Sequence, residues 1–280
     1  MKIGCHVSIA GSVDLAFERA KNLGCNTFQI FTKNPRGWKA RELVSEEKNS
    51  FNKKILKGDF SPIFSHISYL PNLASLDPEI YKKSLDSFIL EIQRSISLSI
   101  PYFIIHSGSY KGGTIEEGFN KYLSSILKGI EEGKGKIAIL IENSAGGKNS
   151  ITGDLENIAK ILNEVNDKKS VGVCFDTCHA FGAGYDLRNE KALKSTLEKI
   201  ESTIGIESIA VVHANDSKAE LKSNRDFHEH IGIGEIGELG FKAMINNSNL
   251  QIIPWILETP VNDFRGDKEN IHYLLSLMEK

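Results

Sequence analysis

The sequence is short of the features that mark most special classes of protein. It has four cysteines in 280 residues, Cys5, Cys25, Cys174 and Cys178. They lie in or near apolar runs at spacings that match no disulfide framework, so a reducing, cytoplasmic location is expected. A chain of this length buries a core large enough to need no such staple. No apolar segment approaches the ~18 residues of a membrane span, so no membrane partner is expected. The first residues, Met1-Lys-Ile-Gly-Cys-His6, enter a strand-like segment with neither an apolar signal core nor an Arg- and Ser-rich transit stretch. No low-complexity linker or composition break divides the chain, and a single domain over 1–280 is expected. Nor does either sign of charge dominate: 34 basic residues against 36 acidic ones leave −2. That balance argues against a nucleic-acid partner, unless the carboxylates bind metal. Three divalent ions would move the formal charge from −2 to +4.

What is present is a set of short apolar runs, each ending on a residue able to bind a divalent metal. Pro62-Ile-Phe-Ser runs into His66, Tyr102-Phe-Ile-Ile into His106, and Ile137-Ala-Ile-Leu-Ile into Glu142. Val171-Gly-Val-Cys-Phe runs into Asp176, Ile209-Ala-Val-Val into His213, and Ile252-Ile-Pro-Trp-Ile-Leu into Glu258. Such runs, bounded by polar turns, read as buried parallel strands. One histidine at a strand end carries little information, but six strand ends all offering imidazole or carboxylate imply one polyvalent metal site.

With two further runs near residues 3 and 26, the chain has eight, spaced by roughly 23 to 43 residues, room enough for a crossover helix each time. Ser12 to Leu23 is amphipathic and stops at Gly24. Asp77-Pro78 suits an N-cap and first helical position, and Thr114-x-x-Glu117 has the form of a capping box. Eight βα units predict an α/β fold, a (β/α)8 TIM barrel with the metal site at the C-terminal ends of its strands. An open doubly wound sheet also alternates β and α. It would spread these residues along an edge, however, and no glycine-rich phosphate fingerprint follows the first run.

Further donors lie in the connections. His179 stands three residues after Asp176, and Asp226 and His228 stand two apart, so that in an extended segment both point the same way. Mixed imidazole and carboxylate donors suit Zn²⁺, with Mn²⁺ or Fe²⁺ as substitutes. Cys174 and Cys178 offer an alternative C-x3-C pair, but Asp176 is better placed than Cys174. Nine donors exceed what one ion takes and suit two or three. A cluster of ions suits in-line displacement at phosphorus.

At this point the chain resembles the endonuclease IV family, the second family of apurinic/apyrimidinic (AP) endonucleases of base-excision repair. The resemblance runs the full length. It is carried by His66-Ile-Ser-Tyr-Leu-Pro-Asn-Leu-Ala-Ser75, Cys174-Phe-Asp-Thr-Cys-His-Ala-Phe181, His213-Ala-Asn-Asp-Ser-Lys218, Asp226-Phe-His-Glu-His230 and Leu257-Glu-Thr-Pro260. It implies a barrel with three zinc ions. His66, His106 and Glu142 would hold one; Glu142 would bridge to a second, held also by Asp176, His213 and Glu258; His179, Asp226 and His228 would hold the third. Glu142, which would order the attacking hydroxide, and Glu258 would carry the catalysis. The implied reaction is hydrolysis of the phosphodiester 5′ to an abasic site in double-stranded DNA, leaving a 3′-hydroxyl, with trimming of blocked 3′ ends.

The resemblance also implies that side chains enter the DNA at the lesion: Arg36 as a wedge, with Tyr69 and Leu70 as stacking partners. Lys218, close after a ligand-bearing strand end, is expected to contact phosphate. The chain departs from the family pattern at Gly37, Phe227, Ile233, Ser107-Gly108 and Tyr110, which bears on DNA affinity and loop detail and not on the ligands. His6 is expected beside the ligands and not among them, His230 as a rival that loses to His228, and His272 as structural. A monomer is expected. A barrel sugar isomerase or epimerase is the rival reading, and would need only one or two ions. A lesion-binding module without chemistry would need no metal cluster.

Overall fold

The computed structural model describes residues 1–279. The eight apolar runs form eight parallel strands: β1 (Ile3–Cys5), β2 (Phe28–Phe31), β3 (Ile63–His66), β4 (Tyr102–Ile105), β5 (Ala138–Glu142), β6 (Val171–Asp176), β7 (Ile209–His213) and β10 (Trp255–Leu257). Their order in the sheet is β1-β10-β7-β6-β5-β4-β3-β2. The ends of that order meet where His6 bridges Gln29 in parallel and Val7 N–H donates to the Gln29 carbonyl at 2.8 Å. Closure leaves no edge unpaired along the ring. An antiparallel pair of two-residue strands, β8 (Asp216–Ser217) with β9 (His228–Glu229), stands outside the barrel in the connection after β7.

Helices fill the crossovers: α1 (Ala16–Asn22), α2 (Ser45–Leu56), α3 (Pro78–Ser97), α4 (Ile115–Gly133), α5 (Leu155–Val165), α6 (Thr177–Ala183), α7 (Glu190–Thr203), α8 (Gly237–Ile245), α9 (Ser248–Gln251) and α10 (Asp267–Ser276). The expected caps are in place. Asp77 accepts from Glu79 and Ile80 N–H at the start of α3, and Thr114 and Glu117 form the reciprocal box that opens α4. The segment before Gly24 is shorter than its pattern suggested, because its first turn, Val13–Leu15, is 3-10. Among the described residues no helix is long and apolar enough to cross a membrane.

Inside the ring, alternate residues point to the axis. Phe64, Ile104, Leu140, Cys174, Val211 and Ile256, one from each of six strands, pack into a dry layer. The other strand face packs against the helices in the larger core, where Phe28, Phe103, Phe175 and Trp255 are fully or almost fully buried. Two residues beyond each member of the inner layer comes His66, His106, Glu142, Asp176, His213 or Glu258. The period of two thus sets a polar ring on an apolar plug.

The same step leads from Gly4 to His6 and from Thr27 to Gln29. Gly4 tolerates no side chain: a Cβ there would lie 1.8 Å from the Thr27 carbonyl oxygen. Gly4→Ala is therefore expected to force β1 from β2 and to destabilise the fold by about 1–3 kcal/mol or more, the usual cost of overpacking, read as a lowered midpoint in denaturant unfolding.

Candidate metal centre

The polar ring surrounds one fully buried carboxylate. Glu142 Oε2 lies 3.1 Å from His66 Nε2 and 3.7 Å from His106 Nδ1, and Oε1 lies 3.1 Å from His179 Nδ1 and 3.4 Å from His213 Nδ1. Donor atoms converge in five groups, three of them without cysteine: His66, His106 and Glu142; Glu142, Asp176, His213 and Glu258; and His179, Asp226 and His228. These are the nine residues singled out from the sequence, in the grouping that the resemblance implied. Asp226 Oδ1 reaches His179 Nε2 at 3.1 Å and His228 Nε2 at 3.2 Å. The two-residue spacing does turn Asp226 and His228 to the same side.

The ring nitrogens are sorted by their outer partners. His66 Nδ1 faces the Ile67 carbonyl at 2.7 Å, His179 Nδ1 the Asn143 carbonyl at 2.9 Å, and His228 Nδ1 the Glu258 carbonyl at 3.0 Å. A carbonyl only accepts, so each Nδ1 donates its proton and each Nε2 is the ring atom turned to the cluster, the one that could bind an ion. His213 is reversed: its Nε2 lies 2.8 Å from Gln29 Oε1 and its Nδ1 faces inward. Three buried atoms of the cluster have no hydrogen-bond partner among the described residues: Glu142 Oε1, His213 Nδ1 and His228 Nε2. Buried polar atoms are rarely left so. Their convergence, with the imidazole and carboxylate chemistry of the set, fits bound divalent cations.

The electrostatics call for the same thing. Burial alone would raise the Glu142 carboxyl, yet His106, His213 and His179 hold it well below the usual range. Burial is likewise outweighed at His179, pushed well above the ordinary histidine value by Asp176, Asp226 and Glu142. His213 goes to about 9, against burial, beside Glu258 and Glu142, and His228 to about 9, against burial, beside Asp226. Each acid stabilises positive charge at the centre.

The cysteine alternative does not assemble. Cys174 lies in the dry inner layer near Glu142 and His213, whereas Cys178 falls with Asp176 and His228, so the two sulfurs do not converge on one point. All four cysteines are free and buried. His6 touches the ring only through Gln29, at 2.9 Å, and Glu258, at 3.5 Å. His230 is turned away, held by Asn262 and Asn270. His272 is exposed on α10.

The rim carries the remaining candidates. Arg36 is exposed, Tyr69 is 63% exposed and Leu70 36%, so Tyr69 is no core residue. The Tyr69 ring packs edge-on against Phe31, and its N–H donates to the Pro35 carbonyl at 3.1 Å, tying the two rim loops together. Lys218 is half-exposed, its Nζ 3.9 Å from Glu229.

Several supports escaped the sequence reading. Asn143 brackets Asp176, accepting from its N–H at 2.7 Å and donating to its carbonyl at 3.0 Å. Asn215 donates to Asp176 Oδ2 at 2.7 Å and accepts from Glu258 N–H at 2.8 Å. Buried Asp216 accepts from the N–H groups of Ser217, Gly232, Gly234, Ile236 and Gly237, pinning the loop after β9. From α3, Glu91 accepts from the N–H and hydroxyl of Ser68, and lies 3.6 Å from Lys33 Nζ, a lysine buried at the rim. Arg94 donates to the Thr32 carbonyl from Nε and Nη2 and to the Arg41 carbonyl from Nη1. Polar residues directly after ligand strands, and charges on the buried face of α3, were the available signals.

Comparison with known proteins places this geometry. Residues 17–278 match the family model described as a xylose isomerase-like TIM barrel. The chain is 43% identical to the probable endonuclease 4 of Methanoculleus marisnigri over 270 residues, 96% of each chain. It is 41% identical to the probable endonuclease 4 of Halothermothrix orenii over 280 residues, the whole of both. The crystal structure of endonuclease IV from Thermus thermophilus superposes with a TM-score of 0.87 at 31% identity, covering 99% of this chain and 98% of that one. A D-tagatose 3-epimerase-like protein shares the fold alone, with a TM-score of 0.73 at 20% identity over 99% of this chain and 97% of that one.

Arg94→Leu would strand the Thr32 and Arg41 carbonyls, at about 1–3 kcal/mol for each buried acceptor left unpaired. The expected outcome is a lowered unfolding midpoint, with faster proteolytic cutting between residues 32 and 41 while the barrel remains folded.

Proposed function

We infer the chemistry from the family, since the chain belongs to the endonuclease IV family of xylose isomerase-like TIM barrels. It is a hydrolase of DNA repair, an AP endonuclease. Beyond that, we propose that the mouth holds about three divalent ions, mainly zinc, with Mn²⁺ or Fe²⁺ as substitutes. The observation that carries this reading is Glu142: one buried carboxylate shared by two donor groups, with the third group reached through His179.

When bound, such ions supply a water of lowered pKa and positive charge facing the phosphate oxygens. The rest belongs to the chain. Glu142 couples two of the donor groups, and Glu258 closes the central one against His213 at 3.4 Å. His66, His179, His213 and His228 have their outer ring nitrogens held by fixed partners, so these four need not reorganise when a phosphodiester arrives. Arg36, Tyr69 and Leu70 stand at the rim to enter the duplex where a base is missing and unstacking costs least. Lys218 reaches toward the phosphate backbone. Water is added across the phosphodiester 5′ to the abasic site, the proton going to the departing sugar oxygen. The upstream strand keeps a 3′-hydroxyl, and blocked 3′ ends are trimmed by the same hydrolysis. A monomer suffices, because all nine donors come from one chain.

The rival routes fit less well. A sugar epimerase needs one or two ions and leaves the group of His179, Asp226 and His228 without a role. Strand cleavage by a lysine Schiff base needs a free amine. Lys33, the buried lysine at the rim, is engaged by Glu91 and donates to the Gly37 carbonyl at 2.6 Å.

Purified protein is expected to carry about three transition-metal ions per chain by elemental analysis, and to lose cleavage on chelation. Its product should be extended by a polymerase, and borohydride should trap no protein–DNA adduct. One ion per chain in an active preparation would sink the three-ion reading, and a trapped adduct would sink hydrolysis. Separately, Arg36→Ala and Tyr69→Ala are expected to weaken binding to abasic duplex, by about 1–3 kcal/mol for the lost stacking at Tyr69, with metal content unchanged. Unaltered binding in both would remove them from the lesion contact.

A further inference from the structure

The structure assigns to Gln29, on β2, the role of a positioning residue that sets the ring orientation of His213 and holds Glu258 in the central donor group. Gln29 offers no ligand of its own. It is fully buried inside an otherwise apolar strand, Phe28-Gln-Ile-Phe31. Such a polar group persists only where every one of its hydrogen bonds is made.

Its partners fix its orientation. Nε2 lies 2.6 Å from Glu258 Oε1, and a carboxylate oxygen can only accept, so the atom facing it is the amide NH₂. The second amide hydrogen points to His6 Nδ1 at 2.9 Å. The amide oxygen is then left to face His213 Nε2 at 2.8 Å, and that nitrogen must donate. Nε2 of His213 thereby carries a proton, and Nδ1 is the ring nitrogen turned into the group of Glu142, Asp176 and Glu258. One amide thus prepares two donors of the same group at once.

The contrast with the other imidazoles makes this specific. His66, His179 and His228 are oriented by backbone carbonyls, which no substitution removes. His213 alone among these four depends on a side chain. Loss of Gln29 therefore acts on the central group and leaves the tautomers of the other three in place. The loss of such an outer partner ordinarily costs about 10- to 100-fold in metal affinity.

The inference rests on the proposed metal centre, and its test keeps the two apart. Zinc retained by the parent, by Gln29→Leu and by Gln29→Glu is counted during titration with chelators of graded strength. Gln29→Leu removes both halves of the amide. Gln29→Glu keeps an acceptor for His213 but sets a carboxylate against Glu258, and it stands in if the leucine variant fails to fold. The expected result is that one of about three ions leaves at roughly 10- to 100-fold weaker chelation while the other two are held as in the parent. A merely structural glutamine would loosen all sites together or none. A parent with three ions and variants that release them as the parent does, or release all of them at once, overturns the role of Gln29. A parent that does not carry about three ions overturns the metal reading itself.

Discussion

A carboxylate with no exposure to water is the constraint on which the site depends. An isolated ionised acid in a protein interior is strongly disfavoured and would take up a proton. Glu142 is instead held ionised, because four imidazoles approach it within 3.7 Å. Of these, His66, His179 and His213 are in turn raised by the carboxylates around them, whereas burial lowers His106. The acids and bases of this ring are mutually dependent, and breaking one pair leaves an uncompensated buried charge. Proton-bearing imidazoles and divalent cations meet the same electrostatic demand. That is why a folded ring of this kind can be preorganised for metal without collapsing on itself.

The barrel supplies the precision. Each inward residue of the dry layer lies two positions before a donor, so the plug that excludes water from the axis also fixes the height of the ring. Strand ends alone cannot bring in His179, Asp226 and His228. Those come from the first turn of α6, from the β8–β9 connection and from the start of β9. His179 N–H donates to Asp176 Oδ1 at 2.7 Å, as Asp176 caps α6. The loop after β9 closes on Asp216. Helix α3 performs the corresponding task for the rim, where Glu91 and Arg94 hold the loops that carry Tyr69 and Arg36. The rim is thus built from exposed side chains on an anchored backbone, the arrangement a lesion probe needs.

Much of this was legible from residue order. Buried parallel strands read as plain apolar runs, so a polar residue ending each one stands out, and all nine donors could be named. Their expected division into groups came from family resemblance, since spacing counts donors without grouping them. Gln29 was not legible as a partner: its neighbours Glu258 and His213 are 229 and 184 residues away, and only the closure of β1 onto β2 brings them together. Arg94 was hidden for the same reason, 62 residues from Thr32. The run beginning at Ile252 also misplaced its strand start. Ile252 is 83% exposed after the short helix α9, and β10 begins only at Trp255, beyond Pro254, which has no N–H to give the ladder.

The formal charge of −2 is the feature most at odds with a DNA substrate, and the buried ring accounts for it. Glu142, Asp176, Asp226 and Glu258 lie at the mouth, and four carboxylates there repel a phosphate unless positive charge offsets them. Divalent cations would invert that local field while leaving the outer surface nearly neutral. Recognition would then be concentrated at the mouth and rim and not spread over a basic face. The departures from the family pattern at Phe227 and Ile233 accord with this distribution. Both are exposed apolar side chains, 54% and 49% accessible. An apolar rim contributes contact area without adding to the long-range field. On the proposed reading, attracting and orienting phosphate would fall to the centre itself, and to the side chains, Gln29 among them, that keep its donors turned inward.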